Sequence, residues 1–211
     1  MKSFLNNRIE VAKVLANEIP QAHYADSALI LCTVLSSCAS ICWPGRGFDG
    51  RRFVELLVKQ SSPNLRASWI SVPALLNKGL VSEEQTAYRG GNATRIFTDD
   101  EIDMSYHDAQ RKFPNTSQED LRKSCYASLI YEWLRCGYAH EYWHNQNITH
   151  VAPSRKDARL SYIGRSQIGK NNIRRMISFH LSYLVNLAGY HVQHLPESEL
   201  KKPSTWWIDK G

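Results

Sequence analysis

Apolar residues along the chain fall at helical spacing in several separate stretches. From about Phe4 to Ile19, Leu5, Ile9, Val14 and Leu15 recur at such intervals and Pro20 ends the run, which predicts a first helix. Asp26 can cap a second helix that continues to Cys42. That segment is apolar nearly all round, so it is expected to sit centrally. Trp43-Pro44-Gly45 stops it, because proline cannot continue the hydrogen-bond ladder. A third helix is predicted from Gly50 to Lys59, with Phe53, Leu56 and Leu57 on one side. A short one follows at Val72 to Asn77, where Pro73 suits the first turn.

The middle of the chain is less regular. Gly90-Gly91 marks a turn, Thr94 to Thr98 reads as a short strand, and Asp99 to Lys112 leaves a helix open. Ser117 and Asp120 resemble a capping box. They open the strongest helical segment, from about Gln118 to Trp143, with Leu121, Cys125, Leu129, Trp133 and Leu134 as its apolar positions. Residues 145–158 read as loop, and Arg159 to Ile163 alternates like one strand of a small hairpin. A last helix is predicted from about Asn172 to Ala188, followed by an irregular tail holding Pro196, Pro203 and Trp206-Trp207. No internal repeat or linker divides the chain. The fold expected is mainly α: one domain over 1–211, a helical bundle with extra helices, an N-terminal extension helix and a minor β-hairpin.

Composition narrows the setting. The 211 residues suffice for a sizeable core. The most apolar window, Ser27 to Trp43, still carries Ser27, Thr33, Ser36, Ser37 and Ser40, so a core helix is expected there and not a membrane span. The N-terminus lacks a continuous apolar run, so no secretory signal is expected and the sequons at Asn92, Asn115 and Asn147 are taken as chance. The 5 cysteines form no Cys-x-x-Cys pair and fall in helical stretches, which fits reduced thiols in a cytoplasmic protein. A formal net charge of +6 is compatible with a polyanionic partner such as RNA.

Candidate chemistry concentrates in residues 131–150, where two frames share His140. In one, His140-Glu141-x-x-His144 has zinc-peptidase spacing, with Glu141 as base on a metal-bound water and His150 as a third ligand. This resembles the metzincin pattern, with Asn147 where that family has Gly. The preceding chain reads as helices instead of the mixed sheet that such a site needs, and Met176 lies in a helical pattern instead of the family's Met-turn.

In the other frame, Arg135-Cys-Gly-Tyr-Ala-His140-Glu-Tyr142 resembles the Arg-x4–6-His signature of HEPN domains. The form it matches is found in HEPN toxins paired with minimal nucleotidyltransferases. The resemblance implies a metal-independent endoribonuclease without cofactor, acting as a homodimer on RNA, with an antitoxin or nucleotidyltransferase as a further partner. Arg135 would clamp the scissile phosphate and His140 would act as acid and base. Tyr142 corresponds to a tyrosine modified in some such pairs. Cys136 stands where the family usually has a polar residue such as Asn, and a thiol is a weaker donor. A non-catalytic module of the same fold, binding RNA or protein, is the alternative. A structural reading of the segment would instead pair Arg135 with Glu132 on a helix surface. Five residues span about 140° of an α-helix, so Arg135 and His140 are not expected to stack on one stripe.

Overall fold

The computed structural model describes residues 1–18, 24–86, 95–141, 146–149, 158–166 and 173–210. The chain is mainly helical, with a small antiparallel sheet. Helix α1 spans Lys2–Glu18, α2 Tyr24–Cys42, α3 Asp49–Lys59 and α4 Val72–Asn77. Helix α2 is the central element. It packs against α1, α3, a later helix and the segment around residue 135. Ala28, Leu31, Cys32, Leu35, Cys38 and Ala39 on it are fully enclosed. Each such leucine contributes about 1.5–3 kcal/mol of burial.

Helix α2 is not apolar all round. Thr33 is exposed, and Ser36, Ser37 and Ser40 are half-buried on an outer face. Thr33 Oγ1 donates to the Leu29 carbonyl at 2.8 Å, and Ser37 Oγ donates to the Thr33 carbonyl at 2.9 Å. Back-bonding of this kind lets a helix carry hydroxyls. By length and composition α2 is also the one described helix that could cross a membrane; here its apolar side is covered by protein.

The segment predicted as one helix from Gln118 to Trp143 is broken. Helix α7, Gln118–Lys123, follows α5 (Asp99–Ile102) and α6 (Tyr106–Lys112). Ser117 caps α7 as expected, its hydroxyl accepting from the Asp120 N–H at 3.0 Å. The helical ladder then breaks at residues 124–125, and residues 67–71 take up backbone groups of 124–127. Ser71 N–H donates to the Ser124 carbonyl at 3.0 Å, Tyr126 N–H to Trp69 at 3.0 Å and Ala127 N–H to Ala67 at 2.9 Å. Helix α8, Tyr126–Leu129, restarts and runs directly into a π-helical segment, Ile130–Glu141.

A second correction concerns the C-terminal part. Residues Ile173–Phe179, predicted as the start of a helix, form strand β3. It pairs antiparallel with β2, Leu160–Ser166, in a register that sets Tyr162 opposite Ile177; β1, Phe97–Thr98, adds the third strand. The hairpin was expected from Arg159–Ile163. Its partner was obscured because Ile173, Met176 and Ile177 also fit a helical period. Helix α9 begins at Leu181 and ends at Gln193. The tail is irregular but buried. Leu200 N–H bonds the Cys42 carbonyl at 2.8 Å, and Trp207 N–H donates to the Glu55 carboxylate at 2.6 Å. The Trp206 ring stacks on Phe48 and meets Trp43 edge-on.

One polar cluster ties the helical part to the sheet. Asp103 Oδ2 accepts from the Tyr126 and Tyr162 hydroxyls, both at 2.5 Å, and Oδ1 accepts from the Val72 N–H at 2.9 Å. Tyr162 Oη also lies 2.8 Å from Ser71 Oγ. The residue keeps some exposure, but its carboxyl oxygens are taken up by these partners. Burial pushes the carboxyl up to about 8, against the hydrogen bonds from Tyr126, Tyr162 and Val72 that pull it down. Protonated, Asp103 donates to Tyr162, which passes its own proton toward Ser71, so every group remains satisfied. The folded pKa lies above the unfolded one, so the folded state holds an extra proton between about pH 4 and pH 8. This contribution is complete below the unfolded value and is lost as pH rises through 8. Asp103→Asn mimics the protonated form. In urea unfolding from pH 5 to pH 9, the variant should gain on the parent with rising pH, by up to about 1.4 kcal/mol per unit. A parallel pH dependence of the two proteins would contradict the assignment.

Candidate functional site

The π segment lays its inner face on α2 and α3. Its buried positions come in pairs every four residues: Leu129 and Ile130, Trp133 and Leu134, then Gly137 and Tyr138. Positions 130, 133, 134, 137 and 138 form a stripe of helical spacing that faces one side. The segment nevertheless takes the wider π form. Its hydrogen bonds run from i to i+5, which sets residues five apart one above the other. Arg135 and His140 are five apart. Their expected separation of about 140° on an α-helix is therefore replaced by contact: Arg135 Nη1 lies 3.3 Å from His140 Nε2.

Several neighbours hold Arg135. Its guanidinium sits 5.6 Å from the Tyr131 ring centre, over the face that attracts cations, and Nη1 is 4.0 Å from Cys136 Sγ. Tyr131 is braced by Phe53, with ring centres 5.3 Å apart, and by the bare backbone of Gly50. A Cβ at Gly50 would lie 2.7 Å from the Tyr131 ring, so α3 approaches this closely only because residue 50 has no side chain. Arg135 is half-buried and His140 is exposed. Glu132 is exposed and makes no ion pair with Arg135, so the simple surface pairing expected of a structural role does not form.

The Arg135–His140 contact constrains protonation. Arginine has donors only, so in this contact Nε2 accepts and the ring N–H belongs on Nδ1. A cation beside Nε2 is also a poor neighbour for a metal ion at that atom. No group of three or more His, Cys, Asp or Glu fit to hold a metal occurs among the described residues. Tyr142, His144 and His150 lie outside the described residues, as does the Glu141 side chain, so the zinc frame is placed only at His140.

Sequence reasoning missed three features. Arg135 lines a cavity of about 410 Å³ whose wall also includes Thr33, Ser36, Ser37 and Ser40 of α2, Asp49 and Arg52 of α3, and Met1. The spacing of those hydroxyls, at 33, 36, 37 and 40, is a helical face and was legible. The other two features are Ser–His pairs, which join distant parts of the chain and leave no sequence signal. Ser161 Oγ lies 2.8 Å from His180 Nε2, but Ser161 is fully buried in the sheet. Ser61 Oγ lies 2.9 Å from His191 Nε2. Burial, with His194 adding to it, pushes the His191 imidazole down to about 4, too weak a base to take a serine proton near neutrality. The cysteines are free thiols, and burial pushes Cys32, beside the site, up to about 12, so it is unreactive.

Comparison with family models, curated proteins and solved structures gives no match. The site therefore rests on its own geometry. In ¹⁵N NMR, neutral His140 should show the Nδ1–H tautomer with a bare Nε2, and Arg135→Ala should change that balance. A neutral His140 protonated on Nε2 in the parent protein would rule the contact out.

Proposed function

We propose that the chain is a metal-independent endoribonuclease of HEPN type. The observation that carries this reading is the exposed Arg135–His140 contact at 3.3 Å, formed by residues that match the family's Arg-x4-His signature. When an RNA phosphate arrives, it competes for the Arg135 donors, since two guanidinium hydrogen bonds fit phosphate oxygens. Nε2 is released by that exchange. Its lone pair then takes the proton of a ribose 2′-hydroxyl, the 2′-oxygen bonds to phosphorus, and the bond to the 5′-oxygen breaks. The leaving oxygen receives a proton from an imidazolium. The products are a 2′,3′-cyclic phosphate and a 5′-hydroxyl. Arg135 stabilises charge on the phosphoryl oxygens throughout.

A homodimer supplies the second imidazole, so that one His140 acts as base while its counterpart acts as acid. The net charge of +6 favours the encounter with RNA. On the family analogy the role is toxin-like or defensive, with an antitoxin or nucleotidyltransferase partner and a cytoplasmic setting. The HEPN-like bundle comprises α2, the π segment and α9. Strands β2 and β3 stand between the motif and α9, a departure from a plain run of helices.

Cys136 favours a second reading, a module that binds RNA without cutting it. Its sulfur lies at 4.0 Å from Arg135, a weak contact where the family has a stronger polar group. Cleavage of a labelled RNA in the presence of EDTA separates the two. Arg135→Ala and His140→Ala should each slow cleavage by at least about 100-fold with the fold intact. Salt-sensitive RNA binding without any cleavage by the parent protein would select the binding module.

A further inference from the structure

The loop after α2 and the C-terminal tail are fastened together, and cations from both meet there. Leu200 N–H donates to the Cys42 carbonyl at 2.8 Å, and the Trp43 indole N–H donates to the Lys201 carbonyl at 3.3 Å. The Lys202 ammonium stands 4.5 Å from the Phe48 ring centre and 5.9 Å from that of Trp206. Arg52 braces the loop from α3, donating to the Trp43 and Gly45 carbonyls, each at 3.0 Å. Arg46 sits in that loop between Gly45 and Gly47, both at positive φ. Arg46, Lys201 and Lys202 are all exposed.

The acidic groups nearby do not cancel this charge. Asp49 is engaged by Arg52, and Asp209 by Arg51 at 2.7 Å. Glu197 and Glu199, earlier in the tail, form no ion pair with Arg46, Lys201 or Lys202 among the described residues. Arg52 also lines the cavity that holds Arg135, so the cations continue from the Arg135–His140 contact through Arg52 to Arg46, Lys201 and Lys202. Like charges held side by side by a fixed backbone repel, and a ligand with regularly repeated negative charge relieves several of them at once.

We propose that this ridge is the track for an RNA strand, whose phosphates contact Arg46, Lys201 and Lys202 while the scissile phosphate lies at Arg135. The scissile phosphate rests on the ribonuclease reading; the binding of a phosphate strand rests on the ridge itself. These contacts are to phosphates and not to bases, so the track is indifferent to sequence and sensitive to salt.

A single-stranded 2′-O-methyl oligouridylate is the probe, because it has no 2′-hydroxyl proton to lose and is not cut. Its affinity for the full chain is read by fluorescence anisotropy over a salt series. Each phosphate contact on a single strand contributes about 0.7 to the slope of log affinity against log salt, so Arg46→Gln, Lys201→Gln and Lys202→Gln combined should lower the slope by about 2. A control with Lys13→Gln, Lys112→Gln and Lys123→Gln removes the same charge from α1, α6 and α7 and should leave the slope as in the parent. On cleavable RNA the ridge variant should raise KM and keep kcat, since its three cations do not touch the reacting atoms. An unchanged slope in the ridge variant, an equal loss in the control, or no binding by the parent would overturn the proposal. Binding of a polyglutamate peptide that is lost in the ridge variant while its RNA slope is unchanged would give the ridge to an acidic protein instead. RNA cleavage abolished by Arg135→Ala, with an unchanged slope in the ridge variant, would remove the track and keep the ribonuclease. A lowered slope without any cleavage by the parent would keep the track and remove the ribonuclease.

Discussion

The burial of α2 constrains everything around it. Its enclosed face, Ala28, Leu31, Cys32, Leu35, Cys38 and Ala39, mixes small and branched residues, so neighbours approach closely and must follow its surface. The chain from Leu129 to Tyr138 has to keep three pairs of buried side chains on that surface across ten residues. The segment Ile130–Glu141 does so as a π-helix with i→i+5 hydrogen bonding, and such widened turns are commonly found at functional sites.

The site follows from that widening. Once residues five apart stand over one another, Arg135 meets His140 at the surface while Trp133, Leu134 and Tyr138 stay inside. Tyr131 supports the guanidinium from below, and Gly50 lets Tyr131 and α3 come together. The outer hydroxyl face of α2 then becomes the wall of the neighbouring cavity. Core packing and the arrangement of polar groups are in this way one problem. The buried Asp103 cluster plays a separate part, locking the helical layer to the sheet through Tyr126 and Tyr162.

Strong local signals were legible in the sequence. Helix α4 lies where Pro73 in the first turn placed it, and Ser117 caps α7. The centrality of α2 followed from its apolar length. What was hidden depended on partners far along the chain. Nothing near Cys125 announces that the helix breaks there beside residues 67–71, and Ile173–Phe179 satisfies a helical period until β2 is alongside. At the site, both residues of the Arg–His pair could be named from their spacing, but an α-helical frame set them apart.

The central claim is that Arg135 and His140 act as a unit because the π segment sets them in contact. A double-mutant cycle on RNA cleavage tests it most directly, with Arg135→Ala, His140→Ala and the two combined. Residues of one catalytic unit are strongly non-additive, so the double variant should be no slower than the slower single variant. Losses that multiply, with each residue contributing independently of the other, would contradict the account.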